Sequence, residues 1–404
     1  MNSSEMRKWQ ENIAEELRNN IIPFWIKYSP DRENGGFYGR ITNNNAAKKD
    51  APKSLILNAR ILWTFSAIHK FRGSDRCLEL AHRAYDYLKD KFFDRKYGGA
   101  FWLLNSEGSV IDDKKKIYGQ AFVIYALSEY YMITQKQEVK EKAIQFFNLI
   151  EDHNYDKKNG GYFEVSERDW TPAEDSRLGE DDMNEKKSMN NHLHLLEAYV
   201  NLFNIWKDRK LEGKLRELIM DFKEYIIDSE HYHFRLFFNE KWEPKSNSIS
   251  FGHDIEGSWL LYEAVKALGD EFLIELIKPI SIKMADATLK EGILENGAIF
   301  YEKKEDGTMA EEIHWWPQAE SMVGLMNAFQ ITGDRRYLDA SKKAWEFISA
   351  HFIDKKNGEW FYMVNPDGAV HKDLDKVSEW KGPYHNSRAC MEAIKRINRV
   401  LAAA

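Results

Sequence analysis

Asp156-Lys-Lys-Asn-Gly-Gly-Tyr-Phe163 belongs to a motif that recurs along the whole chain. The other strong copies begin at Asp31, Asp94 and Asp354. A weaker copy starts at Glu295, and the segment His233–Asn239 lies where a sixth copy is expected. Asn-Gly followed by aromatic residues is typical of a tight turn that enters a short strand. The copies lie roughly 60 to 80 residues apart, which indicates a series of similar structural units.

Between these turns, apolar residues recur at intervals of three and four, which is typical of helices. The pattern predicts an opening helix over Ser3–Asn20, a closing helix over His385–Leu401 and five helix pairs between them. The predicted pairs are 55–71 with 75–93, 118–133 with 138–152, 189–206 with 211–227, 253–268 with 272–289, and 315–331 with 336–352. In each pair the first helix is apolar nearly all round, as buried helices are, and the second has one charged face.

Twelve helices that alternate between buried and exposed predict an all-α fold, an (α/α)6 barrel with two concentric rings of helices. The repeated turns then form short β-hairpin inserts around the mouth of the barrel. We expect residues 1–404 to form a single catalytic domain of this kind. An open, right-handed superhelical array of helix pairs is the alternative.

Composition narrows the possible partners of the protein. The net charge is -7 and no basic block is present, so we expect no nucleic-acid partner. Only two cysteines occur, which predicts no disulfide framework. The segment Met1–Trp25 is charged and amphipathic, unlike a signal peptide, and no apolar run reaches membrane-spanning length. We therefore expect a cytoplasmic protein without a membrane partner, present as a monomer or weak homodimer.

Polar side chains recur early in each of the six predicted inner helices. In a core, such groups must face a cavity or pair with one another. They are Asn58 and Arg60; Tyr118 and Gln120; Asn190, His194 and Glu197; His253 and Glu256; Trp316 and Glu320; and His385 and Arg388, with Trp380 just before the last helix. One polar set from each helix predicts a single central pocket that binds a ligand. Buried hydrogen-bonded pairs that only stiffen the core are the alternative.

Two of these residues, His253 and His385, lie in the first turns of late helices, each with a charged residue three positions on. Histidine titrates near neutral pH, so the two can act as an acid–base pair. The three candidate histidines lack the close spacing of zinc ligands, and no phosphate loop, Rossmann motif or nucleophile elbow occurs. We interpret the acidic run Gly179–Asp182 as a solvated loop. We expect no metal and no cofactor.

Several stretches together resemble the motifs of the N-acylglucosamine 2-epimerase superfamily. They are Leu57-Asn-Ala-Arg60, Met189-Asn-Asn-His-Leu-His-Leu-Leu-Glu197, Gly252-His-Asp-Ile-Glu-Gly-Ser-Trp-Leu260, Trp315-Trp-Pro-Gln-Ala-Glu320 and Trp380-Lys-Gly-Pro-Tyr-His-Asn-Ser-Arg388. The resemblance covers nearly the whole chain. It implies an (α/α)6 barrel and cofactor-independent proton transfer at C2 of a reducing-end sugar. Within the superfamily, the chain is most similar to enzymes that convert the reducing-end glucose of β-1,4-linked disaccharides to mannose.

The resemblance also implies roles for single residues. His253 and His385 match the two general acid–base histidines, and Arg60, Asn190 and His194 match the polar groups around the enediolate. Trp316 and Trp380 match the tryptophans that stack on the sugar, and Glu256 and Glu320 match the supporting carboxylates. His194 is a third catalytic candidate because ring opening also needs an acid or base. Tyr118 and Arg388 complete the predicted substrate-binding set.

Four other functions remain open from the sequence. The same enediolate, protonated at C1, gives an aldose–ketose isomerase, and a different sugar gives a monosaccharide 2-epimerase acting on mannose or N-acylglucosamine. A glycoside hydrolase on this fold needs two carboxylates, for which Glu256 and Glu320 are the candidates. The last alternative is a repeat-type binding scaffold. Such a protein does not need polar residues from six helices in one pocket.

Overall fold

The computed structural model describes residues 2–180 and 182–403, and in this part of the chain the dominant elements are helices. In chain order they are α1 (Ser3–Glu15), α2 (Ile22–Tyr28), α3 (Leu55–Arg72), α4 (Asp75–Tyr87), α5 (Ile117–Thr134), α6 (Gln137–His153), α7 (Met189–Ile205), α8 (Arg209–Asp221), α9 (Phe251–Leu268), α10 (Glu271–Glu291), α11 (Trp315–Thr332), α12 (Arg335–Phe347) and α13 (Tyr384–Ala403). A π-helical segment over Glu16–Ile21 joins α1 to α2, so the described residues form twelve continuous helical rods, as predicted.

The odd-numbered helices from α3 to α13 form a closed inner ring. Each packs against the next, and α13 packs back against α3. The outer helices α4, α6, α8, α10 and α12 each pack on the inner helix that precedes them, and α1 covers α13. The predicted (α/α)6 barrel is confirmed, because a closed ring is incompatible with an open superhelical array.

Burial follows the sequence patterns that predicted the two rings. In α5 every residue from Ile117 to Tyr130 is buried, as the absence of a charged face indicates. In α4 only one face is buried, and it includes Cys77, Leu80 and Ala84. The two kinds of helix therefore occupy the positions that their amphipathicity specifies.

Short antiparallel strands fix the entrance of five inner helices. The strands are β1 (Lys53–Ser54), β2 (Leu103–Leu104), β3 (Val110–Asp112), β4 (Lys115–Lys116), β5 (Val165–Ser166), β6 (Lys187–Ser188), β7 (Phe237–Phe238), β8 (Ile249–Ser250), β9 (Glu302–Lys303), β10 (Ile313–His314) and β11 (Met363–Val364). β1, β4, β6, β8 and β10 each end where an inner helix begins and pair with β2, β5, β7, β9 and β11 respectively. These inner helices therefore start at the same end of the barrel, among the inserts.

The repeated aspartates tie each insert to the next inner helix. In all four strong copies, Oδ1 of the aspartate accepts two backbone N–H groups of its own turn. The other carboxylate oxygen accepts a hydrogen bond from a buried lysine that precedes the next inner helix, by two residues in three copies and by eight in the last. The pairs are Asp31–Lys53, Asp94–Lys115, Asp156–Lys187 and Asp354–Lys376. The recurring motif is thus a structural joint between the rings.

Two of the polar residues expected in the pocket instead form hydrogen bonds with the backbone of an insert or of a helix start. Gln120 binds both the N–H and the carbonyl of Ala100, which fixes a turn in the preceding insert. Asn58 donates to the carbonyl of Ser54, one turn earlier in its own chain segment. For these two residues the expectation of a place in the pocket is wrong.

Among the described residues, no helix is long and apolar enough to cross a membrane.

Candidate active site

The start of the inner helices surrounds a cavity of about 770 Å³. The predicted site residues that line it are Arg60, Tyr118, Asn190, His194, His253, Glu256, Trp316, Trp380 and His385. All six inner helices, or the residues directly before them, contribute to this set. Glu320 and Arg388 do not line the cavity but lie buried behind it, so the structure places them out of direct reach of a ligand there.

Three histidines in the cavity wall are held in the same way, through Nδ1. His253 hydrogen-bonds Ser250 Oγ at 2.7 Å, His385 bonds Glu320 Oε1 at 2.7 Å, and His194 bonds Glu197 Oε2 at 3.1 Å. A partner on one ring nitrogen fixes the orientation of the imidazole. Nε2 of each histidine is thereby left for the cavity that the three residues line.

Burial changes the acid–base properties of these histidines. Loss of solvent, together with the charges of His194, His385 and Arg60, lowers the pKa of His253 to about 3. Burial, with Arg60 and Arg388 nearby, holds the pKa of His385 well below its ordinary value. Burial also lowers the pKa of His194, although Glu197 opposes the shift. At neutral pH all three are neutral imidazoles, which is the form that can accept a proton.

Behind the histidines, one guanidinium joins three glutamates. Arg388 contacts Glu197, Glu256 and Glu320, and its Nη2 lies 2.7 Å from Glu320 Oε1. We call these four residues the Arg388 cluster; each side chain is at most 3% exposed. Although burial opposes it, Arg388 lowers the pKa of Glu197 to about 2. Burial and the charge of Glu320 instead raise the pKa of Glu256 well above its ordinary value.

Two glutamates of the Arg388 cluster and His385 form the candidate metal-binding group among the described residues. Potential ligand atoms of Glu256, Glu320 and His385 lie within 4.8 Å of one another. Both carboxylates, however, already bind the Arg388 guanidinium. The cation that these two carboxylates bind is therefore the Arg388 guanidinium.

Arg60 lines the cavity, and two hydrogen bonds fix its orientation. Nη2 donates to the Tyr118 hydroxyl at 2.9 Å, and Nη1 donates to the Trp380 carbonyl at 2.6 Å. Close by, the buried Oδ1 of Asn190 has no hydrogen-bond partner within the described protein. A preoriented guanidinium in a cavity wall suits a ligand that carries oxygen atoms and developing negative charge. The unpaired amide oxygen of Asn190 can accept a hydrogen bond from a hydroxyl group of such a ligand.

Trp316 lies against both of the late histidines. Its ring centroid is 4.7 Å from that of His253 and 5.6 Å from that of His385. This contact requires Gly252, because a Cβ there would lie 2.5 Å from the Trp316 ring. Trp380 lies on the Tyr118 side, with ring centroids 6.0 Å apart. The cavity thus has an aromatic wall beside each group of polar side chains.

Sequence reasoning missed the part of the cavity that the inserts supply. The additional lining residues are Trp102, Leu103, Asp112, Lys116, Asp175, Arg177, Leu178, Gly179, Glu180, Asp182, Tyr301, His314, Trp315, Tyr362 and Glu379. The aromatic residues after each repeated turn were a usable signal, since Trp102, Tyr301 and Tyr362 all belong to such turns. The run Gly179–Asp182 is more than a solvated loop, because its described members line the cavity; Asp181 lies outside the described residues.

Comparison with known proteins places the chain in a family. The family model for N-acylglucosamine 2-epimerase (GlcNAc 2-epimerase) matches residues 36–389, and the chain belongs to this family. It is 45% identical to the cellobiose 2-epimerase of Bacteroides fragilis, over 95% of this chain and 98% of that protein. It is 37% identical to the cellobiose 2-epimerase of Dictyoglomus turgidum, over 97% and 100%.

A solved structure agrees with these sequence relatives. The cellobiose 2-epimerase from Bacillus thermoamylovorans B4167 superposes with a TM-score of 0.92 at 37% identity, covering 96% of this chain and 100% of that one. The predicted superfamily and the predicted enzyme class, an isomerase of the carbohydrate epimerase type, are confirmed by these similarities.

Proposed function

We propose that this enzyme inverts C2 of the reducing-end glucose of β-1,4-linked disaccharides, converting cellobiose to glucosyl-mannose and lactose to epilactose. The observation that carries the proposal is the pair of buried, neutral histidines, His253 and His385, which contact the same tryptophan and line one cavity. The names of the similar enzymes support a disaccharide such as cellobiose as substrate. The cavity of about 770 Å³ has the size of a small-molecule site.

The chemistry requires a proton to leave one face of C2 and another to arrive on the opposite face. In the open-chain aldose, loss of the C2 proton is assisted by the neighbouring carbonyl and gives an enediolate. One of the two histidines takes the proton at Nε2, and the other donates a proton from the far side. Bases on two different helices, α9 and α13, suit this inversion better than a single base.

Two polar groups stabilise the intermediate. The enediolate carries negative charge on the C1 and C2 oxygens, and Arg60 and Asn190 offer a guanidinium and an amide to these atoms. His194, whose Nδ1 bonds Glu197, is placed to move the proton that ring opening requires. Trp316 and Trp380 supply apolar faces for the sugar rings. Each step uses protein side chains alone, so we propose that neither a metal nor an organic cofactor takes part.

Proton NMR of cellobiose incubated with the enzyme in D2O, with a chelator present, tests this proposal. We expect a product with mannose at the reducing end and deuterium at C2. A ketose product would instead show protonation at C1 and hence an aldose–ketose isomerase, and free glucose would show a hydrolase. Turnover of mannose or N-acetylglucosamine, with cellobiose and lactose unchanged, would contradict the disaccharide assignment while leaving the C2 chemistry in place.

A further inference from the structure

A second cavity lies at the end of the barrel away from the inserts, and its volume is about 470 Å³. Its walls come from the middle and later turns of α3, α5, α7, α9 and α13, whereas the catalytic cavity lies where the inner helices start. We call it the far cavity. Its volume is in the range of small-molecule sites. The lining residues used below are Trp63, Tyr125, Val200, Asn201, Asn204 and Trp259.

The charged groups of the far cavity are already paired. Each of the four carboxylates in its lining has a cation within salt-bridge distance. A charged ligand would have to displace one of these partners, so the lining favours a neutral molecule. The pairs are Glu129–Lys70, Glu197–Arg388, Glu263–Arg396 and Glu392–Lys395.

Two polar groups in this lining lack a partner. Nε1 of Trp63 is buried and has no hydrogen-bond partner within the described protein. Nδ2 of Asn201 donates to the Tyr125 carbonyl at 3.1 Å and to Glu129 Oε2 at 3.2 Å, which leaves Oδ1 of the same amide as an acceptor. A ligand that satisfies both groups must accept one hydrogen bond and donate another, as the hydroxyl groups of a sugar do.

Aromatic side chains supply the apolar part of the lining. Trp63 stacks on Tyr125, with ring centroids 5.1 Å apart and an angle of 19° between the planes. The Arg388 guanidinium lies 4.9 Å from the ring centroid of Trp259. Both indoles are therefore held in fixed orientations. Fixed aromatic rings beside hydrogen-bonding groups suit a sugar, which presents C–H groups and hydroxyls together.

The Arg388 cluster connects the far cavity to the catalytic one. Arg388 and Glu197 line the far cavity, whereas Glu256 of the same cluster lines the catalytic cavity. Both carboxylate oxygens of Glu197 are in use, because Oε1 binds Arg388 and Oε2 binds Nδ1 of His194. A ligand hydroxyl that binds Glu197 competes with the contact that orients His194. Occupation of the far cavity should therefore disturb the catalytic side chains.

We propose that the far cavity is a second sugar-binding site, which takes a neutral mono- or disaccharide and slows turnover when it is occupied. The disaccharide substrate and its epimer belong to this class of ligand, so the effect is inhibition by excess substrate. Sugar binding follows from the far cavity alone, whereas the effect on turnover rests on the proposed function.

Indole NMR signals of the isotope-labelled enzyme report on the two cavities separately. The probe is methyl β-cellobioside, which has no free reducing end and so cannot be epimerised. We expect the Nε1–H signal of Trp63 to shift to lower field in a saturable way, because a buried donor gains an acceptor. The signals of Trp316 and Trp380 report on the catalytic cavity in the same titration. Replacement of each tryptophan by phenylalanine assigns the three signals.

A matched pair of variants tests where the sugar binds. Val200→Trp places an indole in the far cavity, and we expect the affinity reported by Trp63 to fall at least about tenfold while the two catalytic-cavity signals respond as before. Val200→Ala keeps the space open and should retain binding. Asn204→Trp, at the exposed rim, blocks the same cavity if Val200→Trp does not fold.

Initial rates of epimerisation test the effect on turnover. We expect wild-type rates at the highest cellobiose concentrations to fall at least about twofold below a single hyperbola, because a second molecule then occupies the far cavity. Rates of Val200→Trp should follow the hyperbola at the same concentrations, and those of Val200→Ala should fall as in the wild type. Superimposable curves for the wild type and the folded blocking variant overturn the inhibition.

The outcomes distinguish the second site from the proposed function. A Trp63 signal that stays constant overturns the second site. So does a Trp63 signal that follows the catalytic-cavity signals and responds equally in the blocking variant. A wild-type enzyme that introduces no solvent deuterium at C2 instead overturns epimerisation and leaves sugar binding at the far cavity in place.

Discussion

His253 and His385 are useful to the enzyme because of their surroundings. In the sequence, neither differs from an ordinary histidine near the start of a helix. In the structure, burial keeps both imidazoles neutral, and a hydrogen-bond partner at Nδ1 orients each ring. Their polar neighbours have different tasks: Arg60 and Asn190 face the cavity, whereas Glu320 and Arg388 hold His385 from behind. The sequence predicted this set of residues, but it did not separate those that contact the ligand from those that support them.

We expect His253→Ala and His385→Ala each to lower kcat by about 10²–10⁴-fold, because each removes a proton donor or acceptor at C2. The measurement is epimer formation from cellobiose by purified variants whose circular dichroism matches the wild type. His82→Ala, on the outer helix α4, is the control and should retain activity. Substantial epimerisation in either cavity variant would rule out the two-base mechanism.

The pH dependence of kcat/KM follows from the low pKa values. A base must be unprotonated, and a lowered pKa keeps His253 in that form as the solution becomes more acidic. We therefore expect kcat/KM to hold between about pH 8 and pH 6 and to fall only well below the ordinary histidine pKa of about 6.5. An acid limb centred above that value, measured with an enzyme that remains folded, would contradict neutral buried histidines.

At the level of elements, the barrel is built from one repeated joint. An aspartate follows each of four outer rods, and a buried lysine in the segment that leads to the next inner helix binds it. The same inserts carry the aromatic residues that line the cavity. Structure and site are thus connected, because the joint that positions an inner helix also positions part of the cavity wall.

We expect Lys187→Met to destabilise the protein by about 3–5 kcal/mol, because it leaves the Asp156 carboxylate buried without its cation. Lys187 Nζ also donates to the carbonyls of Gly160 and Glu240, at 2.6 and 2.8 Å. Urea unfolding is the measurement. Lys49→Met, at the exposed pair with Glu33, is the matched control and should leave the midpoint unchanged. Equal midpoints for the two variants would show that the repeated pair is not a joint.

On the scale of the whole molecule, the ends of the chain close the barrel together. α1 packs on α13, and Glu16 Oε1 accepts a hydrogen bond from Trp360 Nε1 at 2.9 Å, in the last insert. Trp25 Nε1 donates to Glu359 at 2.6 Å in the same region. Contacts between residues this far apart in sequence complete the outer ring, so we propose that residues 1–404 unfold as one unit.

Trp360→Phe tests this closure. It leaves the buried Glu16 carboxyl without one donor, and we expect a loss of stability of about 1–3 kcal/mol in a single shifted transition. Circular dichroism and activity, followed together through urea unfolding, provide the measurement. Trp242→Phe, which removes a hydrogen bond to Asn159 within the middle of the chain, is the comparison. Separate transitions for the two probes would contradict a single unit.

The sequence by itself determined the helices, their division between the rings and the polar residues that the inner helices contribute to the cavity. The spacing of apolar residues and their number are local properties of the sequence. They decide that α5 is buried on all sides and that α4 is buried on one face. The repeated Asp-x-x-x-Gly motif, also local, marked the inserts. These signals were sufficient for the (α/α)6 barrel.

Only the tertiary structure decided which polar residues face the ligand. Asn58 and Gln120 share the early-helix position of Arg60 and Tyr118, yet they bind the backbone instead. Arg388 meets Glu197, Glu256 and Glu320 because closure of the ring brings side chains of α13, α7, α9 and α11 together in its interior. Such contacts depend on distances across the ring, and no spacing along one helix specifies them.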